Sequence, residues 1–167
     1  SLVKLSRMES GIIAVHPEDT AIKQMLESIQ QQFNVKVREK NITLRLCDTD
    51  LHVRCDSKWT VEALGNIVDN AIKYTACGGN VQIKVEQYSF FVKIDIIDDG
   101  IGIEKEEIPK IFGRFYRSLS VADQPGVGIG LFLAREIIQT QKGYIKVTSK
   151  RGKGSTFSVF LPIAKKE

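Results

Sequence analysis

The stretch that decides the fold runs from Asp56 to Thr75 and reads D-S-K-W-T-V-E-A-L-G-N-I-V-D-N-A-I-K-Y-T. Asp56 is a typical N-cap residue, and apolar residues then recur at steps of three and four, which predicts an amphipathic helix. The polar residues fall on the opposite side of that helix. The apolar stripe comprises Val61, Leu64, Ile67, Val68, Ala71 and Ile72, and the polar stripe comprises Glu62, Asn66, Asp69, Asn70 and Lys73.

The polar stripe is unusual for a face that merely meets solvent. A solvated face favours Lys, Glu and Arg, whereas asparagine is a poor helix former because its amide competes for the backbone. Asn66 and Asn70 lie four residues apart, so their amides project from adjacent turns toward one point. The pair favours a ligand-facing stripe. Gly65, inside the same helix, is expected to allow close helix packing, at a cost of about 1 kcal/mol of helix propensity relative to Ala.

Composition is typical of a soluble globular protein with one domain. The chain has 167 residues, of which 43% are hydrophobic and 26% charged, which is enough for one core and too few for two ordinary domains. The net charge of +4 is spread along the chain, which argues against a nucleic-acid partner. No apolar run approaches the roughly 18 residues that span a bilayer. Cys47, Cys55 and Cys77 show no metal-binding spacing and fit a reducing, cytosolic setting.

Around the central helix, alternating apolar and polar residues predict mostly antiparallel strands with helices between them. This order favours an α/β two-layer sandwich, in which a mixed, largely antiparallel sheet packs on helices, over a parallel doubly wound sheet. Gly78 and Gly79 mark a turn. Strands are predicted at 12–15, 42–46, 51–54, 81–85, 91–98, 144–148 and 156–161, helices at 17–33, 104–112 and 130–140, a loop at 118–126, and the end of a helix at 2–8.

Three glycine clusters follow the central helix. In I-I-D-D-G-I-G-I, residues 96–103, a strand ends at Asp98, whose carboxylate can accept a hydrogen bond from the exocyclic amine of adenine; a plain turn is the alternative. Gly100 and Gly102 there permit a tight turn or a close approach to a ligand. P-G-V-G-I-G-L, residues 125–131, opens a helix whose free N–H groups suit phosphate. G-K-G-S-T-F, residues 152–157, is a hairpin turn by itself.

Between the first two clusters lies I-F-G-R-F-Y-R, residues 111–117. Its rings suit an aromatic packing segment, whereas Arg114 and Arg117, next to the loop, suit contacts with phosphate. The P-loop and the dinucleotide-binding fingerprint are absent from the sequence. So are the H-R-D and D-F-G motifs of protein kinases.

Taken in this order, the motifs closely resemble the ATP-binding domain of sensor histidine kinases of two-component systems. N-I-V-D-N-A-I-K-Y-T resembles the N box of that family, D-D-G-I-G-I its first glycine box, I-F-G-R-F-Y-R its F box, and G-V-G-I-G-L its second glycine box. The resemblance covers residues 56–161. It implies the Bergerat-type fold, in which a mixed sheet backs three helices and ATP lies between the helices and a mobile lid.

The resemblance also implies roles for individual residues. Asn70 would ligate the Mg²⁺ that bridges the phosphates, with Asn66 beside it, and Mg²⁺ suits such a site because it uses few protein oxygens together with phosphate and water. Lys73 would contact phosphate, Tyr74 would border the nucleotide, and Asp98 would hold the adenine amine. The remaining implied contacts are Arg117 and Arg114 at the terminal phosphate, and Gly100, Gly102, Ile103, Gly126, Val127, Gly128, Ile129, Gly130, Leu131 and Thr156 along the glycine clusters.

Asn66 separates this chain from related ATPases of the same fold. Type II topoisomerases, mismatch-repair ATPases and chaperone ATPases carry a Glu at this position, four residues before the metal-binding Asn, where it polarises the attacking water. Asn66 cannot act as a base, and Glu62 lies too far along the helix to replace it. Transfer of the phosphoryl group, catalysed by positioning and charge neutralisation at Asn66, Asn70, Lys73 and the two arginines, is therefore preferred over hydrolysis.

The nucleophile is expected to come from outside the sequence. Residues 1–11 resemble the end of a dimerisation and phosphoacceptor helix, and residues 12–167 the catalytic domain. Neither His16 nor His52 matches the acceptor pattern of the family, so the resemblance implies a phosphoacceptor domain of the same protein as partner, followed by a response regulator. It implies a homodimeric, membrane-anchored parent and a monomeric cytoplasmic fragment. The alternatives are an anti-sigma-type Ser/Thr kinase, which is expected to carry Glu in place of Asn66, and a non-catalytic nucleotide-binding module.

Overall fold

A five-stranded mixed sheet, a two-stranded ribbon and three α-helices make up the described part of the chain. The structure, a computed structural model, describes residues 14–113, 116 and 129–164. In chain order the elements are β1 Glu18–Ala21, α1 Ile22–Glu39, β2 Thr43–Leu46, β3 His52–Cys55, α2 Ser57–Tyr74, β4 Asn80–Gln87, β5 Phe91–Asp98, a 3₁₀ turn at Ile108–Lys110, α3 Gly130–Thr140, β6 Tyr144–Lys150 and β7 Gly154–Pro162.

The five-stranded sheet has the strand order β2-β4-β5-β7-β6. β2 runs parallel to β4, and the other three pairings are antiparallel. The predicted sandwich with a mixed, largely antiparallel sheet is therefore confirmed. The predicted strands 42–46, 51–54, 81–85, 91–98, 144–148 and 156–161 correspond to β2 to β7 with shifts at their ends, and the predicted helix 130–140 matches α3.

The hydrophobic core lies between one face of this sheet and the helices. Buried residues alternate with less buried ones along β5 and β7, as expected for a sheet that is covered on one face only. This alternation fixes which side chains of the two strands point toward the helices. Among the most buried are Ile94, Ile96, Phe157 and Val159 from the sheet, Leu64 and Ile67 from α2, and Leu133 and Ile137 from α3, each 1% exposed or less.

Helix α2 forms as its sequence predicts. The Asp56 Oδ1 atom accepts a hydrogen bond from the backbone N–H of Trp59 at 3.1 Å, so Asp56 is the N-cap. The apolar stripe is buried, apart from the half-buried Val61, and packs against the sheet. Helix α2 contacts both α1 and α3, and its polar stripe is left for other contacts.

The prediction for residues 14–21 was wrong, and residues 12 and 13 lie outside the described residues. The predicted helix start at Pro17 is replaced by β1, and α1 begins only at Ile22. Strand β1 pairs antiparallel with β3, and the Thr20 hydroxyl donates to the carbonyl oxygen of Cys55 at 3.1 Å. This distant pairing satisfies the backbone groups that a helix would have used. Ala14 and Val15 lie in no strand.

The predicted helix at 104–112 was also wrong, because the segment forms only a 3₁₀ turn at Ile108–Lys110. Its backbone bonds span three residues rather than four, from the N–H of Glu107 to Glu104 and from that of Lys110 to Glu107. Pro109 has no N–H for an α-helical bond. Downstream, the Phe112 ring is buried and meets Phe157 edge to face at 6.3 Å, so this ring packs in the core, as predicted for the aromatic residues of this segment.

The elements predicted at 2–8 and 118–126 lie outside the described residues. Within the residues that the structure describes, no helix is both long enough and apolar enough to cross a membrane.

Replacing Gly65 with Ala is expected to stabilise the protein. Gly65 is buried in α2, and a methyl group there would lie 3.4 Å from the side-chain oxygen of Gln32 on α1, which is an ordinary contact with a flexible side chain. The close packing expected at Gly65 therefore leaves room for Ala, which is the better helix former. Urea unfolding should show a free energy of unfolding that is higher by about 0.5–1 kcal/mol. A lower value would mean that the two helices cannot accommodate the methyl group.

Candidate functional site

The polar stripe of α2 meets the start of α3 at Asn66. The half-buried Asn66 side chain donates from Nδ2 to the backbone carbonyl of Gly130 at 3.1 Å. Gly130 is the first residue of α3, so this contact fixes the N-terminus of α3 beside the asparagine amides of α2. The backbone N–H groups in the first turn of a helix have no partner within the helix, and they favour an anion.

Asn70 lies one turn further along α2 and is half-buried. Its side chain has no hydrogen-bond partner among the described residues, so its amide oxygen is available to a ligand. Within the same part of the chain, no group of three His, Cys, Asp or Glu side chains could hold a metal. A metal at Asn70 would therefore need oxygens from phosphate and water. Mg²⁺ binds in this way, so the residues present fit it.

Asp69 joins two lysines. Its Oδ1 atom lies 2.9 Å from Lys36 Nζ on α1, and its Oδ2 atom lies 3.1 Å from Lys73 Nζ, one turn along α2. Burial raises the pKa of Asp69, but the hydrogen bond from Lys36 and the charge of Lys73 outweigh it and hold that pKa below its usual value. Lys73 is thus paired with Asp69 in the structure and points along the polar stripe.

The C-terminal end of α2 is held from α1. Lys40 Nζ donates to the backbone carbonyls of Ile72 and Lys73, both at 2.8 Å. These carbonyls belong to the last turn of the helix, where the backbone lacks partners of its own. The next carbonyl, that of Tyr74, accepts from the N–H of Ile101 at 3.1 Å. The last turn of α2 is therefore tied both to α1 and to the first glycine cluster.

Asp98 ends β5 on the face of the sheet that is turned toward the helices, and it is 8% exposed. Its Oδ1 atom accepts from the backbone N–H of Gly100 at 2.9 Å. Burial raises the pKa of Asp98 and outweighs the N–H groups of Gly100 and Ser155, which lower it. Because a buried polar group is costly unless it is hydrogen-bonded, this carboxylate favours a ligand with a donor group, such as an amine, that reaches it directly or through water.

The turn after Asp98 places it next to the end of α2. A side chain at Gly100 would come within 2.3 Å of the Tyr74 carbonyl oxygen, so only glycine allows this close approach. Gly102 has a φ of +72°, a conformation that L side chains rarely adopt. The first glycine cluster is therefore a tight turn that brings Asp98 close to the helix carrying Asn70 and Lys73.

Ser155, rather than the predicted Thr156, shares the face of Asp98. Ser155 pairs directly with Asp98 in the antiparallel register of β5 and β7, whereas Thr156 pairs with Ile97. Directly opposed residues project on the same side of a sheet and neighbours along a strand on opposite sides. The structure therefore does not bring Thr156 to Asp98. The alternation counted back from Phe157 could have indicated Ser155.

Ser155 belongs to a small hydroxyl network under the first glycine cluster. Its Oγ atom lies 2.7 Å from Ser149 Oγ, and the Ser149 hydroxyl accepts from the backbone N–H of Ile103 at 2.8 Å. The half-buried Ile103 thus reaches the site through its backbone. The network links β6 and β7 to the turn that follows Asp98.

Gln141 is a further contact that sequence reasoning missed. Its side chain is buried, accepts from the backbone N–H of Asp56 and donates to the Thr60 hydroxyl at 3.1 Å. It ties the C-terminal end of α3 to the first turn of α2, while Asn66 ties the other end. No local pattern in the sequence distinguishes this Gln from one on the surface.

The other predicted contacts divide into two groups. At the start of α3 the structure places Ile129, which is buried, and Gly130 and Leu131, which are half-buried; Tyr74 is half-buried as well. Arg114, Arg117, Gly126, Val127 and Gly128 lie outside the described residues.

Comparison with known proteins gives a match over most of the chain. Residues 55–165 match the model of the family described as histidine kinase-, DNA gyrase B- and HSP90-like ATPases. The sensor histidine kinase WalK of Bacillus subtilis is 34% identical over 166 residues, which is 96% of this chain and 27% of WalK. The sensor protein kinase PmrB of Pseudomonas aeruginosa is 30% identical over 162 residues, which is 96% of this chain and 34% of PmrB. The chain thus spans about a quarter to a third of these relatives.

Solved structures of histidine kinase catalytic domains have the same fold as this chain. The catalytic domain of the histidine kinase ThkA is 26% identical with a TM-score of 0.77, and the match covers 89% of this chain and 96% of that domain. A mycobacterial sensor histidine kinase, MprB, is 26% identical with a TM-score of 0.76, covering 90% of this chain and 98% of that one. The fold described above is therefore that of such catalytic domains.

Proposed function

Since the chain belongs to the family of histidine kinase-, DNA gyrase B- and HSP90-like ATPases, we propose that it is the ATP-binding catalytic domain of a sensor histidine kinase. In this role it transfers the γ-phosphoryl group of Mg-ATP to a histidine of a separate phosphoacceptor domain. The observation that carries the proposal is the turn at Gly100, which holds the buried Asp98 against the end of the helix that bears Asn70 and Lys73.

Each part of the nucleotide has a counterpart in this arrangement. Asp98 accepts a hydrogen bond from the adenine amine, directly or through water. Guanine has a carbonyl oxygen at that position, which a carboxylate repels. Asn70 and Lys73 meet the phosphates beside the N-terminus of α3, and Arg117 and Arg114 approach the terminal phosphate. The phosphates then lie where amide and lysine groups converge.

In the transfer, the bond between the γ-phosphorus and the oxygen bridging to the β-phosphate breaks, and a bond to an imidazole nitrogen forms. ADP leaves with the electron pair of the broken bond. The residues of this chain fix the distance between the two reactants and neutralise the charge that builds up on the phosphate oxygens. Asn70, together with the phosphates, would hold Mg²⁺, which would supply positive charge at those oxygens.

Asn66 supports transfer rather than hydrolysis. A hydrolase needs a base to activate water, and an amide cannot supply it. In this chain the Asn66 amide also donates to the carbonyl of Gly130, so it holds α3 in place. Because no base at this position activates a water molecule, ATP is not hydrolysed before an acceptor histidine reaches it.

Neither histidine of the chain lies near the phosphate end of α2. The backbone N–H of His16 donates to Asp56 Oδ2 at 2.8 Å, and Asp56 precedes Asn70 by fourteen residues, or about 21 Å along a helix. His52 lies on β3, where its ring is 2.6 Å from Asp19. These positions support an acceptor on another domain of the same protein.

The proposal extends to the parent protein, because the relatives named as sensor kinases are much longer than this chain. We assign residues 1–11 to the end of the phosphoacceptor helix and residues 12–167 to the catalytic domain. The parent is proposed to be dimeric, membrane-anchored and followed by a response regulator, with this domain in the cytoplasm and monomeric when isolated.

The test is phosphoryl transfer from labelled ATP. The chain is incubated with ATP labelled at the γ-phosphate, Mg²⁺ and the acceptor-helix domain of the same protein. We expect label on the acceptor that is lost in acid and kept in alkali, as phosphohistidine is. Acid-stable label on the acceptor would indicate a Ser/Thr kinase of the same fold. If calorimetry detected no ATP binding, or if ATP bound but no phosphoryl group was transferred, the chain would be a non-catalytic module. Each of these results contradicts the proposal.

A further inference from the structure

The carboxylate of Asp69 lies on the same helix face as the residues that meet the phosphates. It directly precedes Asn70 and forms an ion pair with Lys73, one turn further on. A triphosphate carries several negative charges, so a carboxylate at this place repels it unless a cation compensates. While ATP is absent, Lys73 is one compensating cation. Once Lys73 turns to the phosphates, Asp69 needs another.

Lys36 provides that second cation from outside the motif. Its Nζ atom approaches the other oxygen of the carboxylate, Oδ1, at 2.9 Å, while Lys73 takes Oδ2. The Lys36 side chain is 56% exposed and comes from α1, and Asp69 is 26% exposed. The two lysines therefore bind different oxygens, and either can leave without the other having to move.

We propose that Lys36 is a positioning residue for nucleotide binding, which keeps Asp69 neutralised so that Lys73 can exchange its ion pair for the phosphates of ATP. This inference rests on the proposed function and adds to it a residue of α1. In the free protein Asp69 holds Lys73 in place on the polar stripe. In the bound protein Lys36 keeps the charge of Asp69 from opposing the triphosphate.

The backbone beneath Lys73 is fixed independently of this exchange. Lys40, one turn after Lys36 on α1, donates to the carbonyls of Ile72 and Lys73. The last turn of α2 therefore stays in place when the Lys73 side chain moves. The exchange is confined to side chains, and its effect should appear in phosphate binding.

The experiment measures ATP and adenosine binding by calorimetry, in Mg²⁺, for the unaltered chain and five variants, two of which carry Asp69→Asn. Lys36→Gln is expected to weaken ATP binding about threefold to tenfold, since partly exposed charges interact modestly. Adenosine binding should not change, because adenosine has no phosphate. Lys36→Arg should restore ATP binding. Lys23→Gln is the matched control, because it removes a lysine of the same helix that pairs with Asp48 at 3.3 Å and lies thirteen residues before Lys36, or about 20 Å along the helix.

The decisive comparison repeats Lys36→Gln in a chain that already carries Asp69→Asn. With no carboxylate to neutralise, the loss of Lys36 should change ATP affinity less than twofold. An equal loss in both backgrounds would mean that Lys36 only adds general positive charge, and this would overturn the inference. So would an equal loss of adenosine and ATP binding. If the unaltered chain bound no ATP, the proposed function itself would fail, which is a different outcome.

Discussion

Asp98→Asn is expected to weaken ATP binding about tenfold to a hundredfold while the protein stays folded. The Asn side chain keeps an oxygen that can accept from the N–H of Gly100, as Asp98 does in the structure. It replaces the second carboxylate oxygen by an amide N–H₂ group. This group and the adenine amine are both donors, so they cannot form a hydrogen bond with each other. Calorimetry with ATP measures the loss, and the same titration with GTP should show a smaller one.

Asp95→Asn is the matched control for this change. Asp95 lies on the same strand but on the opposite face of the sheet, where it contacts Ser158 and Lys93. The substitution removes the same charge without touching the nucleotide side, so ATP affinity should not change. If Asp98→Asn bound ATP as well as the unaltered protein, Asp98 would not be the adenine contact.

The raised pKa of Asp98 adds a prediction for stability of the same variant. Burial makes the folded protein prefer the protonated carboxyl, so the stabilisation is complete below the unfolded pKa of about 3.9 and is lost as the pH rises through the folded pKa. Asn carries no such dependence. The free energy of unfolding of Asp98→Asn, relative to that of the unaltered protein, should therefore increase from pH 3.5 to pH 7 in urea unfolding.

Asn70→Ala is expected to abolish the effect of Mg²⁺ on ATP binding and to slow phosphoryl transfer by about a hundredfold or more. The Asn70 amide oxygen has no hydrogen-bond partner among the described residues and is available to a metal, and Ala removes it while keeping a good helix former. ATP affinity in Mg²⁺ should fall to the value measured in EDTA. Transfer to the acceptor domain is then measured at saturating ATP, which separates catalysis from binding.

Asn34→Ala serves as its control, because it removes an exposed amide from α1 without approaching α2. That variant should keep both the Mg²⁺ effect and the transfer rate. If Asn70→Ala also kept them, the metal would have to be held elsewhere, and the assignment of this helix face to the phosphates would be wrong.

Features of the fold that depend on residues close together in the sequence could be predicted from the sequence. Helix α2 begins at its N-cap and buries its apolar stripe because both signals lie within the helix itself. Strand β1 was missed because its partner β3 lies more than thirty residues away along the chain. Nothing within residues 18–21 distinguishes such a pairing from the first turn of a helix.

The same limit applies to the site. Asp98, Asn70 and Lys73 stand in recognisable motifs, so the sequence could indicate them. Whether Ser155 or Thr156 faces Asp98 is decided by the register of β7 against β5. Lys36 is one of several polar residues on the exposed side of α1, and its role becomes visible only when α1 lies against α2.

The close approach of Gly100 to the Tyr74 carbonyl has a consequence for reading mutational tolerance. Any side chain at this position would push the turn away from the end of α2, whether or not a nucleotide is ever bound. Intolerance of Gly100 to substitution therefore reports architecture and carries no information about chemistry. Asp98 and Asn70 differ, since near-isosteric exchanges there leave the backbone where it is. Among diverging sequences of this fold, a protein that no longer binds nucleotide would therefore be expected to retain the glycine but to vary at the positions of Asp98 and Asn70.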